Sequence, residues 1–126
     1  MGYVIDSNAV IDYLSGQLPA TANAFMNGVI NETPVISIMT QIEVLGFSNP
    51  PEIQTFLNEF IAASLVIPLN DDIVNTTIEI RKKNKIKTPD AIIAATAITL
   101  NYPLITRNVS DFKKLAALKI IDPWSV

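Results

Sequence analysis

The chain has 126 residues, 49% of them apolar and 17% charged, which fits a globular chain burying about two-thirds of its surface around one core and excludes a disordered segment. It contains no cysteine and no histidine, so disulfides, thiol catalysis, thiolate metal sites and imidazole acid–base chemistry are excluded, and any metal is a hard cation held by oxygen. A net charge of −3 argues against binding nucleic acid over the whole surface, although it leaves a local site open.

Taken in chain order, short aliphatic runs alternate with helical patterns. Tyr3-Val4-Ile5 reads as a first strand and Val35-Ile36-Ser37-Ile38 as a second. Pro50-Pro51 starts a helix on which Ile53, Phe56, Leu57, Phe60 and Ile61 make one apolar stripe. Leu65-Val66-Ile67-Pro68-Leu69 is a third strand, and residues 72–83 form a helix with Ile73, Ile80 and the methyls of Thr76 and Thr77 on one side. Residues 91–100 are apolar nearly all round, as in a helix covered on several sides. Leu104-Ile105-Thr106 and Lys119-Ile120-Ile121 complete the strands. Strands this short and aliphatic are expected to be buried on both faces of a parallel sheet. The order predicts one α/β domain over residues 1–126 with a mainly parallel sheet and right-handed crossovers. The longest apolar stretch, residues 89–104, is broken by Asp90, Asn101 and Pro103 and is too short to span a bilayer. With no basic start or small-residue cleavage site at residues 1–6, a cytoplasmic protein without membrane contact is expected.

Ligands of open α/β sheets collect beyond the carboxyl ends of the strands. In a parallel sheet three of the twelve acidic residues emerge there: Asp6 closes the first strand, Glu43 lies one turn into the helix after the second, and Asp111 follows the fourth strand, while Asp90, which opens the apolar helix, joins them only if that helix starts at the same edge. Each has an ordinary explanation. Thr40-Gln41-Ile42-Glu43 spells a capping box, Asp90 and Asp111 suit helix starts, and Asp6-Ser7-Asn8 suits a turn. Asp6 is the least ordinary, because a carboxylate ending a buried strand is costly without a partner. Carboxylates gathered without His or Lys repel one another, and a divalent cation makes the arrangement tolerable. Such a site suits phosphate-ester hydrolysis, in which magnesium or manganese activates water and stabilises the leaving oxygen. Five of nine basic residues fall within Arg81-Lys82-Lys83-Asn84-Lys85-Ile86-Lys87. That run is either a helix end complementing its dipole or a phosphate-binding border in which Arg81, Lys82, Lys85 and Lys87 are the candidate phosphate contacts, with Arg107 beside the fourth strand as a second candidate for phosphate or a carboxylate partner.

Val4-Ile5-Asp6-Ser7-Asn8, Thr40-Gln41-Ile42-Glu43-Val44-Leu45, Lys87-Thr88-Pro89-Asp90-Ala91 and Leu104-Ile105-Thr106-Arg107-Asn108-Val109-Ser110-Asp111-Phe112 occur in an order and spacing that resembles PIN-domain ribonucleases, above all the VapC-type toxins of prokaryotic toxin–antitoxin systems. The resemblance runs from Tyr3 to Pro123. It implies a three-layer α/β/α sandwich with a central, mainly parallel five-stranded sheet. It also implies that Asp6, Glu43, Asp90 and Asp111 bind magnesium or manganese and direct endonucleolytic hydrolysis of single-stranded or looped RNA, leaving a 3′-hydroxyl and a 5′-phosphate. Ser7, Thr106 and Asn108 would orient the carboxylates, and Asn108 would assist or replace Asp111. A homodimer and a small antitoxin partner are implied as well. The alternatives are an inactive PIN-like binding module and, further off, a phosphatase of the haloacid-dehalogenase type, which expects a second Asp where Asn8 stands. A receiver-like domain fits less well, since only Asp6 is supplied by the first strand.

Overall fold

The computed structural model describes residues 2–126. Thirteen elements follow in order: β1 (Val4–Ile5), α1 (Ser7–Leu14), α2 (Ala20–Asn31), β2 (Val35–Ser37), α3 (Ile38–Leu45), α4 (Pro51–Ala63), β3 (Leu65–Ile67), α5 (Asp71–Lys83), α6 (Thr88–Leu100), β4 (Leu104–Ile105), α7 (Val109–Phe112), β5 (Ile120–Ile121) and a closing 3₁₀ turn (Pro123–Ser125). The sheet order is β3-β2-β1-β4-β5 and every pairing is parallel, with Val4 opposite both Val35 and Leu104.

Alternation along the strands divides the core into two layers. Val4, Val35 and Leu104 point to the face covered by α5, α6 and α7, among Ile73, Ile80, Ile93 and Phe112. Ile5, Ile36 and Ile105 point to the other face, among Ala9, Met26, Val44, Leu57 and Phe60 of α1–α4. Helix α6 is buried continuously from Ala91 to Ala97, as its all-round apolarity demands. None of the helices is long and apolar enough to cross a membrane among the described residues.

Three expectations change. Burial on both faces holds for β1, β2 and β4, whereas edge strand β3 leaves Leu65 53% exposed. The α4 stripe buries Leu57 and Phe60 but leaves Phe56 in solvent, because the stripe is wider than the groove that receives it. Thr40 and Glu43 do not form a capping box. Ser37 caps α3 by accepting from the Met39 N–H, which makes Thr40 a buried residue inside the helix.

The strand order has a chemical consequence. The chain starts in the middle of the sheet, builds outward through β2 and β3, and returns to the other side of β1 as β4. The crevice between the carboxyl ends of β1 and β4 is therefore the topological switch point, where ligands of open α/β sheets bind.

Candidate active site

Asp6 stands at this point. It is the N-cap of α1, with its carboxylate Oδ1 accepting from the Ser7 N–H at 2.8 Å and its own N–H donating to the Ile105 carbonyl at 2.9 Å. Across the crevice, the Thr106 hydroxyl donates to Asp6 Oδ2 at 2.7 Å, and Asn8 Nδ2 adds a longer contact at 3.3 Å. Asp6 is only 4% exposed, and Thr106 is fully buried. Burial pushes the Asp6 carboxyl up from 3.8 to about 6 against the opposing donations of Thr106 and Ser7, and the charges of Asp90 and Glu43 push it the same way as burial.

The other three carboxylates arrive on the first or second turns of three further helices. Glu43 comes from the second turn of α3, and its Oε1 accepts from the Ser7 hydroxyl at 2.7 Å. The same hydroxyl oxygen lies 3.3 Å from Thr40 Oγ1. Asp90 is the third residue of α6, and its carboxyl is raised by burial, then by Glu43 and Asp111, with Lys87 acting in the opposite direction. Asp111 lies in α7, where Asn108 Nδ2 donates to its Oδ2 at 2.8 Å. Asn108 and Asp111 thus stand side by side, joined by this hydrogen bond. The structure brings Asp6, Glu43, Asp90 and Asp111 into one electrostatic neighbourhood.

Among the described residues, no three acidic side chains stand close enough to ligate one ion as they lie. The donor set nevertheless has the chemistry a hard cation requires: oxygen only, anionic, at a crevice, and held by neutral donors that leave carboxylate lone pairs free. The fit is one of donor type and placement, with the last approach left to side-chain rotation.

The PIN-domain family model matches residues 3–118. The chain belongs to the PIN-domain family. Ribonuclease VapC of Rickettsia bellii is 25% identical and Ribonuclease VapC1 of Rickettsia felis 28% identical, each alignment covering 96% of both chains. Among solved structures, a toxin–antitoxin complex from Klebsiella pneumoniae contains a chain 26% identical, with a TM-score of 0.76 over 99% of this chain and 100% of that one. VapBC-1 of nontypeable Haemophilus influenzae, 24% identical, matches in fold with a TM-score of 0.80 over the full length of both chains.

Within this PIN domain the predicted basic contacts separate. Arg81, Lys85 and Lys87 line a cleft that reaches Asp90 and Asp111. Lys82 instead faces outward on α5, 3.7 Å from Glu79. Arg107 turns away from the cleft, with its guanidinium 4.2 Å above the Trp124 ring and 3.9 Å from Asp12, which also accepts from Trp124 Nε1 at 3.1 Å. Two contributors escape sequence reading. Asn8 contacts Asp6 and Thr106 through Nδ2 and accepts the Arg107 N–H through Oδ1 at 3.1 Å. Lys114 closes the basic cleft from beyond α7. Asn8 stands in the first motif, but its contacts with Thr106 and Arg107 come from far along the chain, and Lys114 has no local motif and reaches the Lys85 carbonyl twenty-nine positions away.

Proposed function

We propose that this PIN domain is a metal-dependent endoribonuclease, the toxin of a toxin–antitoxin pair, in which Asp6, Glu43, Asp90 and Asp111 hold magnesium or manganese. The observation that carries the reading is the gathering of four carboxylates at the switch point, with burial and mutual charge raising Asp6 to about 6. The ribonuclease relatives from Rickettsia and the toxin–antitoxin complex from Klebsiella support the activity and the antitoxin partner. A homodimer belongs to the same reading.

When bound, such an ion supplies an acidified water and a counter-charge for the phosphodiester. The chain's own contribution is orientation. Thr106 donates to Asp6 and in return accepts the Asn108 N–H at 3.0 Å, so one buried hydroxyl ties the starts of α1 and α7 together. Ser7 fixes Glu43 against α1, and Asn108 fixes Asp111. Asp90 takes its position from the first turn of α6. These donors are neutral, so they aim the carboxylates without cancelling their charge. The phosphatase alternative lacks support: Asn8 donates to Asp6 where a second Asp is needed.

Incubating the protein with RNA in manganese or in EDTA tests the proposal. Cleavage is expected only with the ion, with 5′-phosphate ends, and falls at least 100-fold in Asp6→Asn and Asp90→Asn variants that stay folded. If either variant cuts like the parent, the assignment of that residue is wrong; if the parent binds manganese but cuts no RNA, the inactive-module reading replaces it.

A further inference from the structure

Charge is divided very unequally along the chain. Residues 1–80 hold nine acidic and no basic side chains, whereas residues 81–126 hold nine basic and three acidic ones. The fold gathers part of this positive half beside the carboxylates. A cleft of about 460 Å³ between the α5–α6 loop and the segment after α7 is lined by Arg81, Lys85, Lys87 and Lys114, and ends at Asp90 and Asp111.

Arg81 and Lys114 are held by backbone carbonyls and not by a carboxylate. Arg81 Nε donates to the Ile86 carbonyl at 3.4 Å, and Lys114 Nζ donates to the Lys85 carbonyl. Two side chains, one from α5 and one from the turn after α7, thus grip one loop through its backbone. Among the described residues the ion pairs are Lys82–Glu79 and Arg107–Asp12, and neither includes a cation of the cleft. Unspent N–H donors of Arg81 and Lys114 are therefore available to phosphate oxygens. The opposite flank is different. There a groove of about 290 Å³ is lined by Ser7, Asn8, Ile11, Asp12, Glu43 and Phe47 among others, with no cation among its lining residues.

We propose that the cleft holds backbone phosphates of the substrate RNA on one flank of the scissile bond only, and that Lys114 is a substrate-binding residue together with Arg81, Lys85 and Lys87. The inference rests on the ribonuclease reading and specifies how that site takes its substrate. A strand crossing from the cleft to the carboxylates meets cations first and the acidic site last, which lets an acidic protein hold a polyanion at the point of cutting. The other flank makes no ionic contact with the strand.

Binding of a labelled, mixed-sequence single-stranded RNA, followed by anisotropy in EDTA over a range of salt, separates this proposal from cleavage. Lys85→Gln and Lys114→Gln are each expected to lower the slope of log affinity against log salt by about 0.7, which is about fivefold in affinity near 0.1 M salt. Lys82→Gln and Lys119→Gln change the net charge equally but lie outside the cleft, and they leave the slope alone. Equal losses from all four variants, or none from the cleft variants of a protein that cuts RNA, overturn the proposal and leave the ribonuclease reading standing. Loss of polyglutamate binding with RNA binding intact assigns the cleft to an acidic polypeptide and also overturns it. Failure of the parent to cut, with the slopes as expected, refutes the ribonuclease reading and leaves the phosphate-binding cleft in place. With an RNA that the parent cuts, trimming one side of the cut abolishes the effect of Lys114→Gln, whereas trimming the other preserves it; equal effects from both sides refute the one-sided arrangement.

Discussion

Asp6 makes the metal-free protein less stable as the pH rises through 6. In the unfolded chain its carboxyl ionises near 3.8, and in the folded protein near 6. Between those values the folded state keeps a proton that the unfolded state has lost, so raising the pH favours unfolding. The contribution is fully present below 3.8 and gone above 6. A shift of about two units at about 1.4 kcal/mol per unit gives a loss of about 3 kcal/mol over the window, of which about 1 kcal/mol falls between pH 5 and pH 7. For 126 residues that is a drop of about 4–5 °C in Tm. The absence of histidine makes the interval clean, because ordinary carboxylates titrate below it and the α-amino group above it. Asp90, raised by its surroundings, contributes in the same direction. Thermal unfolding in EDTA at several pH values measures the slope, and Asp6→Asn should remove most of it. That variant's absolute stability is a poorer guide, because its new N–H₂ group meets the hydroxyl and amide donors around Oδ2. Manganese should reverse the sign, since binding requires the ionised carboxylates and stabilises only the folded state. A metal-free Tm that is flat or rising from pH 5 to pH 7, or a slope that survives Asp6→Asn, would refute this account of Asp6.

Asp90→Asn relieves repulsion from Glu43 and Asp111; without metal it should melt above the parent, and manganese should stabilise the parent but not the variant. Thr106→Val removes the donor to Asp6 and the acceptor for the Asn108 N–H from a fully buried position; urea unfolding should register about 2 kcal/mol of destabilisation. Its pH-dependent loss of Tm should also move to higher pH, because the Thr106 donation holds the Asp6 carboxyl down. Trp124→Ala removes the face beneath Arg107 and the donor to Asp12, a loss of about 1–3 kcal/mol by the same assay. Leu57→Ala empties a fully buried position between α4 and the sheet and should cost about 2–5 kcal/mol.

The residues that could be read from sequence and those that could not differ in the reach of the physics involved. Five aliphatic runs and their intervening helices are local patterns, and all five runs appear as strands of one parallel sheet. Asp6 is legible because a charge at the end of a buried run is anomalous wherever the run ends up. The Thr40-to-Glu43 spacing, by contrast, satisfies two local structures equally well. The choice is made by the sheet: β2 pairs with β3 as far as Ser37 opposite Ile67, which places the cap at Ser37 and sends Thr40 inward. Arg107 and Lys114 show the same limit from the side of charge. In sequence each is one cation near an acidic residue, yet Trp124 and Asp12 claim the first, while the Lys85 carbonyl anchors the second at the cleft. Asn8 reaches Thr106 across ninety-eight positions, so its role exists only once β1 and β4 are neighbours. The acidic residues of a site at a switch point can therefore be named in advance from the ends of their strands and the starts of their helices. The neutral side chains that aim them, and the cations that border them, become identifiable only when strand order decides which segments meet.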